Sequence, residues 1–211
     1  ACSYYQLPEL DSVTLQSGSS LGVWVESEDV LKGQRSFHAL PAFSVYTRRT
    51  GRIEVFNKGD RPLFWTASPS DAWIRLSRTS GTTSTQQELT VEIDWEKVPV
   101  GEYILGSVRI DAGSDRETVL VSVFNPATPT PESIKGLYVE DNGYVSIPAA
   151  GFHRKFENEQ VKMTLIENLG YEKEAVMMGH PLSSVQRTGG RNTPRLEYDF
   201  YSFSSGSVDV Y

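Results

Sequence analysis

From Glu88 to Trp95 the chain alternates strictly. Leu89, Val91, Ile93 and Trp95 take every second place, and Glu88, Thr90, Glu92 and Asp94 fill the places between. Successive side chains of a strand point to opposite faces, so this spacing builds a strand with one buried and one wet face. It is wrong for a helix, whose apolar residues recur at three and four. Trp95 should therefore end the apolar face, with Glu92 and Asp94 in water. The same reading extends to Arg52–Phe56, Tyr103–Ile110 and Thr118–Phe124. Turn chemistry separates these runs at Asn57-Lys58-Gly59-Asp60, Ser80-Gly81, Val100-Gly101 and Ala112-Gly113-Ser114-Asp115. No stretch holds helical spacing between clean caps, so the expected class is all-β, with short strands stacked as a β-sandwich.

Pro126, Pro129 and Pro131 crowd the stretch Asn125–Glu132. Proline donates no backbone hydrogen bond and stiffens the residue before it, so 126–135 reads as a semi-rigid linker. A length of 211 residues suits two domains of roughly 100 residues each. The expected division is an irregular segment at 1–40, a first sandwich at 41–125, the linker at 126–135 and a second sandwich at 136–211. In the first segment, Val13–Gln16 and Leu21–Val25 read as short strands, Glu26–Leu31 as a helical turn and Gly33–Ala39 as loop. After the linker, strands are expected at Gly136–Glu140, Gly143–Ile147, Val161–Glu167, Glu174–Met178, Arg195–Phe203 and Ser207–Tyr211. Asp141-Asn142-Gly143 reads as a hairpin turn, because Asn-Gly tolerates the positive φ that a tight turn demands.

Twenty Lys and Arg stand against 27 Asp and Glu, a net charge of -7 without a basic stripe. Such a chain is a poor binder of nucleic acid or anionic membrane. No apolar run approaches the ~20 residues of a membrane span. Cys2 is the single cysteine, so neither an intrachain disulfide nor a cysteine zinc cage is expected. No apolar signal segment precedes it, and it reads as part of a frayed end. Glu140 and Asp141 are neighbours at a hairpin tip. They point to opposite faces and should meet solvent, so they cannot flank one glycosidic bond. His38, His153 and His180 stand alone, without metal-ligand spacing. Thr188-Gly189-Gly190-Arg191-Asn192 is a loop with only a Gly pair. No catalytic residue, metal site or cofactor is therefore expected.

The aromatic residues are the suggestive set: four Trp, ten Tyr and nine Phe. Aromatic faces stack on sugar rings, while in a sandwich they also fill the core. Trp95 and Trp65 read as core. Trp73 follows the turn Pro69-Ser70-Asp71-Ala72 and is expected at a sandwich rim, which makes it the candidate carbohydrate-binding residue.

Leu7-Pro8-Glu9-Leu10, followed by Gly22-Val23-Trp24-Val25-Glu26, resembles the stretch just after the catalytic barrel and helical region of family 115 glycoside hydrolases, the xylan α-glucuronidases. Phe43-Ser44-Val45-Tyr46, Ile53–Gly59 and Val91–Trp95 resemble the immunoglobulin-like domain that comes next. Val139–Ile147 and Pro194–Phe200 resemble the start of the C-terminal sandwich. The resemblance implies two non-catalytic β-sandwiches, the first immunoglobulin-like and the second jelly-roll-like and incomplete as written. It implies an accessory region of an α-glucuronidase acting on glucuronoxylan, as structural support or for substrate positioning. The implied partners are an upstream catalytic barrel, xylan-derived glycans and a second copy in a homodimer. The setting is the periplasm or exterior of a bacterium, of the Bacteroidetes kind. Pro148-Ala149-Ala150 stands where the family usually has Glu-Ala-Glu, which speaks against a calcium site there. The barrel lies upstream of every residue here, so no catalytic role carries over. A free-standing carbohydrate-binding or adhesion module is the alternative reading. A hydrolase complete in this chain is disfavoured, since no catalytic constellation is visible.

Overall fold

A computed structural model describes residues 15–26, 38–179 and 192–210. Its described residues contain strands and no helix. They fall into two compact units, 1–127 and 128–211.

The first unit is a two-sheet β-sandwich. One sheet has four strands in the order β1 (Leu21–Val25), β4 (Gly51–Asn57), β8 (Gln86–Ile93) and β6 (Ile74–Leu76), all antiparallel. In the other, β10 (Asp115–Asn125) pairs β9 (Gly101–Ala112), then come β5 (Leu63–Pro69) and β7 (Ser80–Thr83). The outer edge of β10 carries two short parallel strands, β2 (His38–Ala39) and β3 (Phe43–Ser44). Pro41 falls between them, where it can interrupt the edge without costing a central strand its hydrogen bond.

The two-residue period is visible in the burial. Ile53 and Val55 of β4, Leu89 and Val91 of β8, Leu63 and Trp65 of β5, Val108 and Ile110 of β9, and Val119, Val121 and Val123 of β10 all point inward to one core. Their sequence neighbours point outward, so each strand contributes one face to the sandwich. The predicted strand at Leu21–Val25 forms as expected.

Three local expectations are corrected here. Ser80-Gly81 is strand, not turn, because it completes β7 opposite Trp65 and Thr66. A Cβ on Gly81 would meet the Trp65 ring at 2.7 Å, so the glycine makes room for the indole. The β8 pattern stops at Ile93. Asp94 is 7% exposed rather than in water, and Trp95 lies half-buried in the turn that follows, packed on the core from its margin. His38 and Ala39, expected as loop, form β2.

In the second unit the described strands form three two-stranded sheets. β11 (Tyr138–Val139) pairs β16 (Phe200–Tyr201) in parallel. β12 (Arg154–Phe156) pairs β15 (Arg195–Glu197), and β13 (Met163–Glu167) pairs β14 (Glu174–Met178), both antiparallel. Asn142 and Gly143 take φ of 51° and 83°, the left-handed pair that the Asn-Gly turn was expected to supply. The turn is closed by a single bridge between Asp141 and Tyr144. Gly143–Ile147 does not go on as a strand, and Pro148 at its end has no N–H for a ladder. Residues 207–210 are not strand either. Val208 and Val210 are 70% and 93% exposed, so their alternation has no sheet to face. Cys2, Val13, Gly33, His180 and the Gly189-Gly190 pair lie outside the described residues, as does most of Glu26–Leu31.

Candidate functional site

Trp73 is 5% exposed and belongs to the core, which corrects the expectation of a rim aromatic. The turn before it explains why. Ser70 N–H donates to the Ser107 carbonyl at 2.9 Å, Ser107 N–H donates to the Ser70 hydroxyl at 2.8 Å, and Ile74 N–H closes back on the Asp71 carbonyl at 3.2 Å. These bonds carry the chain from β5 in one sheet to β6 in the other. Trp73 crosses the gap and lies against Gly106, where a Cβ would come within 2.7 Å of its ring. A ring seated this way has no open face for a sugar.

Asp94 is held beside it. Its N–H donates to the Trp73 carbonyl at 2.8 Å, and its Oδ2 accepts from Arg75 at 2.7 Å and from Lys97 at 2.8 Å. The Lys97 ammonium and then the Arg75 guanidinium hold this carboxyl below its ordinary range, against the opposing effect of burial. Two cations on one oxygen make Asp94 a structural anchor.

The outer face of the four-stranded sheet carries the aromatic that sequence reasoning left unassigned. Trp24 pairs with Glu54 across β1 and β4 and is half-buried. The Arg52 guanidinium lies 5.5 Å from its ring centroid, 3.8 Å from Glu54 and 3.7 Å from Glu88. Trp24 thus sits in a charged, outward-facing patch that spans three strands. Its even-numbered place on β1, out of phase with core residues Val23 and Val25, is the signal that could have marked it.

In the second unit Glu140 does not face free solvent as expected. Oε2 accepts from the Ser202 hydroxyl at 2.7 Å and from the N–H groups of Phe203 and Ser204 at 2.7 and 2.8 Å. The Ser204 hydroxyl donates to Oε1. The Ser204 hydroxyl leads the effect, and together these donors pull the Glu140 carboxyl down to about 2. Arg154 gathers a second cluster, donating to Glu197 at 2.8 Å and to both Asp199 oxygens at 2.6 Å. Arg195 holds the other Glu197 oxygen at 2.8 Å and lies 3.8 Å over the Phe156 ring. His153 bridges two backbone segments that are distant in sequence. Nε2 pairs with the Gly136 carbonyl at 2.6 Å, and Nδ1 accepts from Asp199 N–H at 3.0 Å, which sets the Nε2–H tautomer.

A glycosidase needs one carboxyl kept protonated by a raised pKa beside one that stays ionised. Asp94, Asp111, Glu140, Glu157, Glu197 and Asp199 are all shifted the other way, by hydrogen bonds from cations, hydroxyls or backbone N–H groups. Each of these six carboxyls is thus stabilised as an anion. Among the described residues no group of three His, Cys, Asp or Glu is placed to hold a metal ion. No helix among the described residues is long and apolar enough to cross a membrane.

The deciding comparison concerns the second unit. Residues 137–211 match the glycosyl hydrolase family 115 C-terminal domain. The match supports reading the chain as a C-terminal region of a family 115 protein and as an accessory region of a glycoside hydrolase. It covers the part that holds both the Glu140 and Arg154 clusters. No curated protein matches the chain. Among solved structures, similarity is found to a Bacteroides ovatus GH5 xyloglucanase in complex with a XXXG heptasaccharide, at 19% identity and a TM-score of 0.35 over 57% of this chain and 22% of that one. The E. coli chaperone DraB is similar at 12% identity and 0.38, over 58% and 64%. A family 123 glycoside hydrolase from Clostridium perfringens is similar at 14% identity and 0.37, over 57% and 30%. The chain therefore spans less than two thirds of each of these relatives.

Proposed function

We propose that the chain is a non-catalytic accessory region of a bacterial xylan α-glucuronidase that works on glucuronoxylan in the periplasm or outside the cell. Its two units brace the catalytic barrel of the parent protein or shape the approach of substrate to it. The match of residues 137–211 to the family 115 C-terminal domain carries this reading. Six carboxylates support it, since Asp94, Asp111, Glu140, Glu157, Glu197 and Asp199 are each tied down as anions rather than poised as a general acid. The purified chain should release no glucuronic acid from glucuronoxylan or aldouronic oligosaccharides. The parent enzyme should lose stability or gain KM when residues 1–211 are deleted. Release above a buffer control, or a parent indifferent to the deletion, would overturn the proposal.

The second reading, a free-standing carbohydrate-binding module, is favoured by one observation, the outward Trp24 with Arg52, Glu54 and Glu88 around it. Aromatic faces beside hydrogen-bonding groups are what sugar sites use. A saturable change in tryptophan fluorescence with xylan oligosaccharides, lost in Trp24→Ala, would favour this reading over the first.

A further inference from the structure

All three methionines of the chain, Met163, Met177 and Met178, fall in the hairpin of β13 and β14. Its register sets Met163 opposite Met178, Thr164 opposite Met177, Leu165 opposite Val176, Ile166 opposite Ala175 and Glu167 opposite Glu174. The methionines thus occupy the two pairs at the end where the chain enters and leaves. Beside them the Gly179 N–H donates to the Lys162 carbonyl at 2.8 Å. At the other end the turn is closed by the Asn168 N–H on the Lys173 carbonyl at 2.7 Å. Among the described residues neither strand pairs with any other.

A two-stranded hairpin is marginal in water, and its cross-strand pairs are the units of its stability. Side chains alternate between faces, so Met163, Met178, Leu165, Val176, Glu167 and Glu174 share one face. The carboxylates of Glu167 and Glu174, directly opposite each other, work against the hairpin, so the apolar pairs hold that face together. Met178 is 47% exposed, whereas Met163 and Met177 are half-buried. An exposed thioether is open to oxidants, and its sulfoxide is polar where this face relies on apolar contact.

We infer that Met178, with Met163 opposite it, is a reversible oxidation site whose oxidant is a peroxide. A lone pair of the thioether sulfur attacks one peroxide oxygen. An S–O bond forms as the O–O bond breaks, and the transferred hydroxyl gives its proton to the departing hydroxide, which leaves as water. Sulfur loses two electrons and hydrogen peroxide gains them. The sulfoxide at 178 weakens the last apolar pair, the hairpin frays from its open end, and Met163 and Met177 become accessible in turn. Methionine sulfoxide reductases return the sulfur to the thioether. The inference does not depend on the glycosidase reading, since it rests on this hairpin alone.

Treating the whole chain with hydrogen peroxide tests it, with peptide mapping to place the added oxygen and hydrogen exchange to read the hairpin. Met178 should gain oxygen first, and Met163 and Met177 after it. Loss of one cross-strand pair should then speed exchange over 163–178 by about two- to fivefold. The strands of the first unit, which contain no methionine, should be unchanged. A methionine sulfoxide reductase should restore the original exchange. Met163→Leu with Met177→Leu and Met178→Leu keeps the apolar character and should make the hairpin indifferent to peroxide. Wild type before and after peroxide is its own control, so the test stands even if this variant folds poorly. Met178 oxidised no faster than Met163 and Met177, or a sulfoxide at 178 that leaves the hairpin's exchange unchanged, would overturn the inference. So would quickening spread equally over both units, or a folded Leu variant that still responds.

Discussion

Gly106→Ala is a sharp test of where Trp73 lies. The added methyl would stand 2.7 and 2.8 Å from two carbons of the Trp73 ring and 2.9 Å from Cδ1 of Ile74. Carbon atoms prefer ~3.5–4.0 Å, so three contacts are each too close by roughly 0.6–1.3 Å. Trp73 has little freedom to retreat, because its carbonyl accepts from Asp94 N–H at 2.8 Å and the next residue closes the turn to Asp71. Overpacking of this kind costs about 1–3 kcal/mol, while removing a glycine from the unfolded chain returns about 0.4–1 kcal/mol. The net loss should be about 0.5–2 kcal/mol, or a fall in Tm of roughly 2–10 °C. All four tryptophans lie at 24, 65, 73 and 95, so urea unfolding followed by tryptophan fluorescence reports on the first unit. Trp73→Phe removes the part of the ring that the methyl would strike. In that background Gly106→Ala should be nearly neutral, a coupling of about 1 kcal/mol. If Gly106→Ala is harmless in the wild type, or costs the same in both backgrounds, Trp73 does not lie on Gly106 and the rim placement read from the turn would stand.

Three further outcomes follow from the side-chain contacts. Glu140 has an ordinary carboxyl value of 4.5 and a folded value of about 2, so its stabilisation is full above pH 4.5 and is lost as pH falls through 2. Glu140→Gln should be less stable than wild type at neutral pH, and the gap should close across that window, read by hydrogen exchange at 202–204. A gap independent of pH would remove the carboxylate from the account. Arg154→Lys keeps the charge but cannot fork onto Glu197 and Asp199 together, so exchange should quicken across β12 and β15 and stay unchanged in β13 and β14. Trp65, at 2% exposed, should lose about 3–5 kcal/mol on change to Ala, and the half-buried Trp95 clearly less. Equal losses would place Trp95 deep in the core, as the alternation alone suggested.

The sandwich of the first unit is legible without coordinates, because each long strand has one face in oil and one in water. Leu89, Val91 and Ile93, or Val119, Val121 and Val123, announce strand and inner face together, since the two-residue period is a local property of the backbone. The Asn142-Gly143 turn is legible for the same reason: a need for positive φ is met by the residues themselves. Family membership of residues 137–211 also shows in the linear order of their motifs. Other features depend on what lies opposite. Trp73 follows a turn and looks exposed until the Ser70–Ser107 bonds swing it between the sheets. Asp94 continues a wet face until Arg75 of β6 is brought to it by the fold, beside its near neighbour Lys97. Val208 and Val210 alternate like a strand but find no sheet to complete. Period and turn chemistry act between neighbours in sequence, whereas burial and charge pairing are set by residues brought together only when the chain folds.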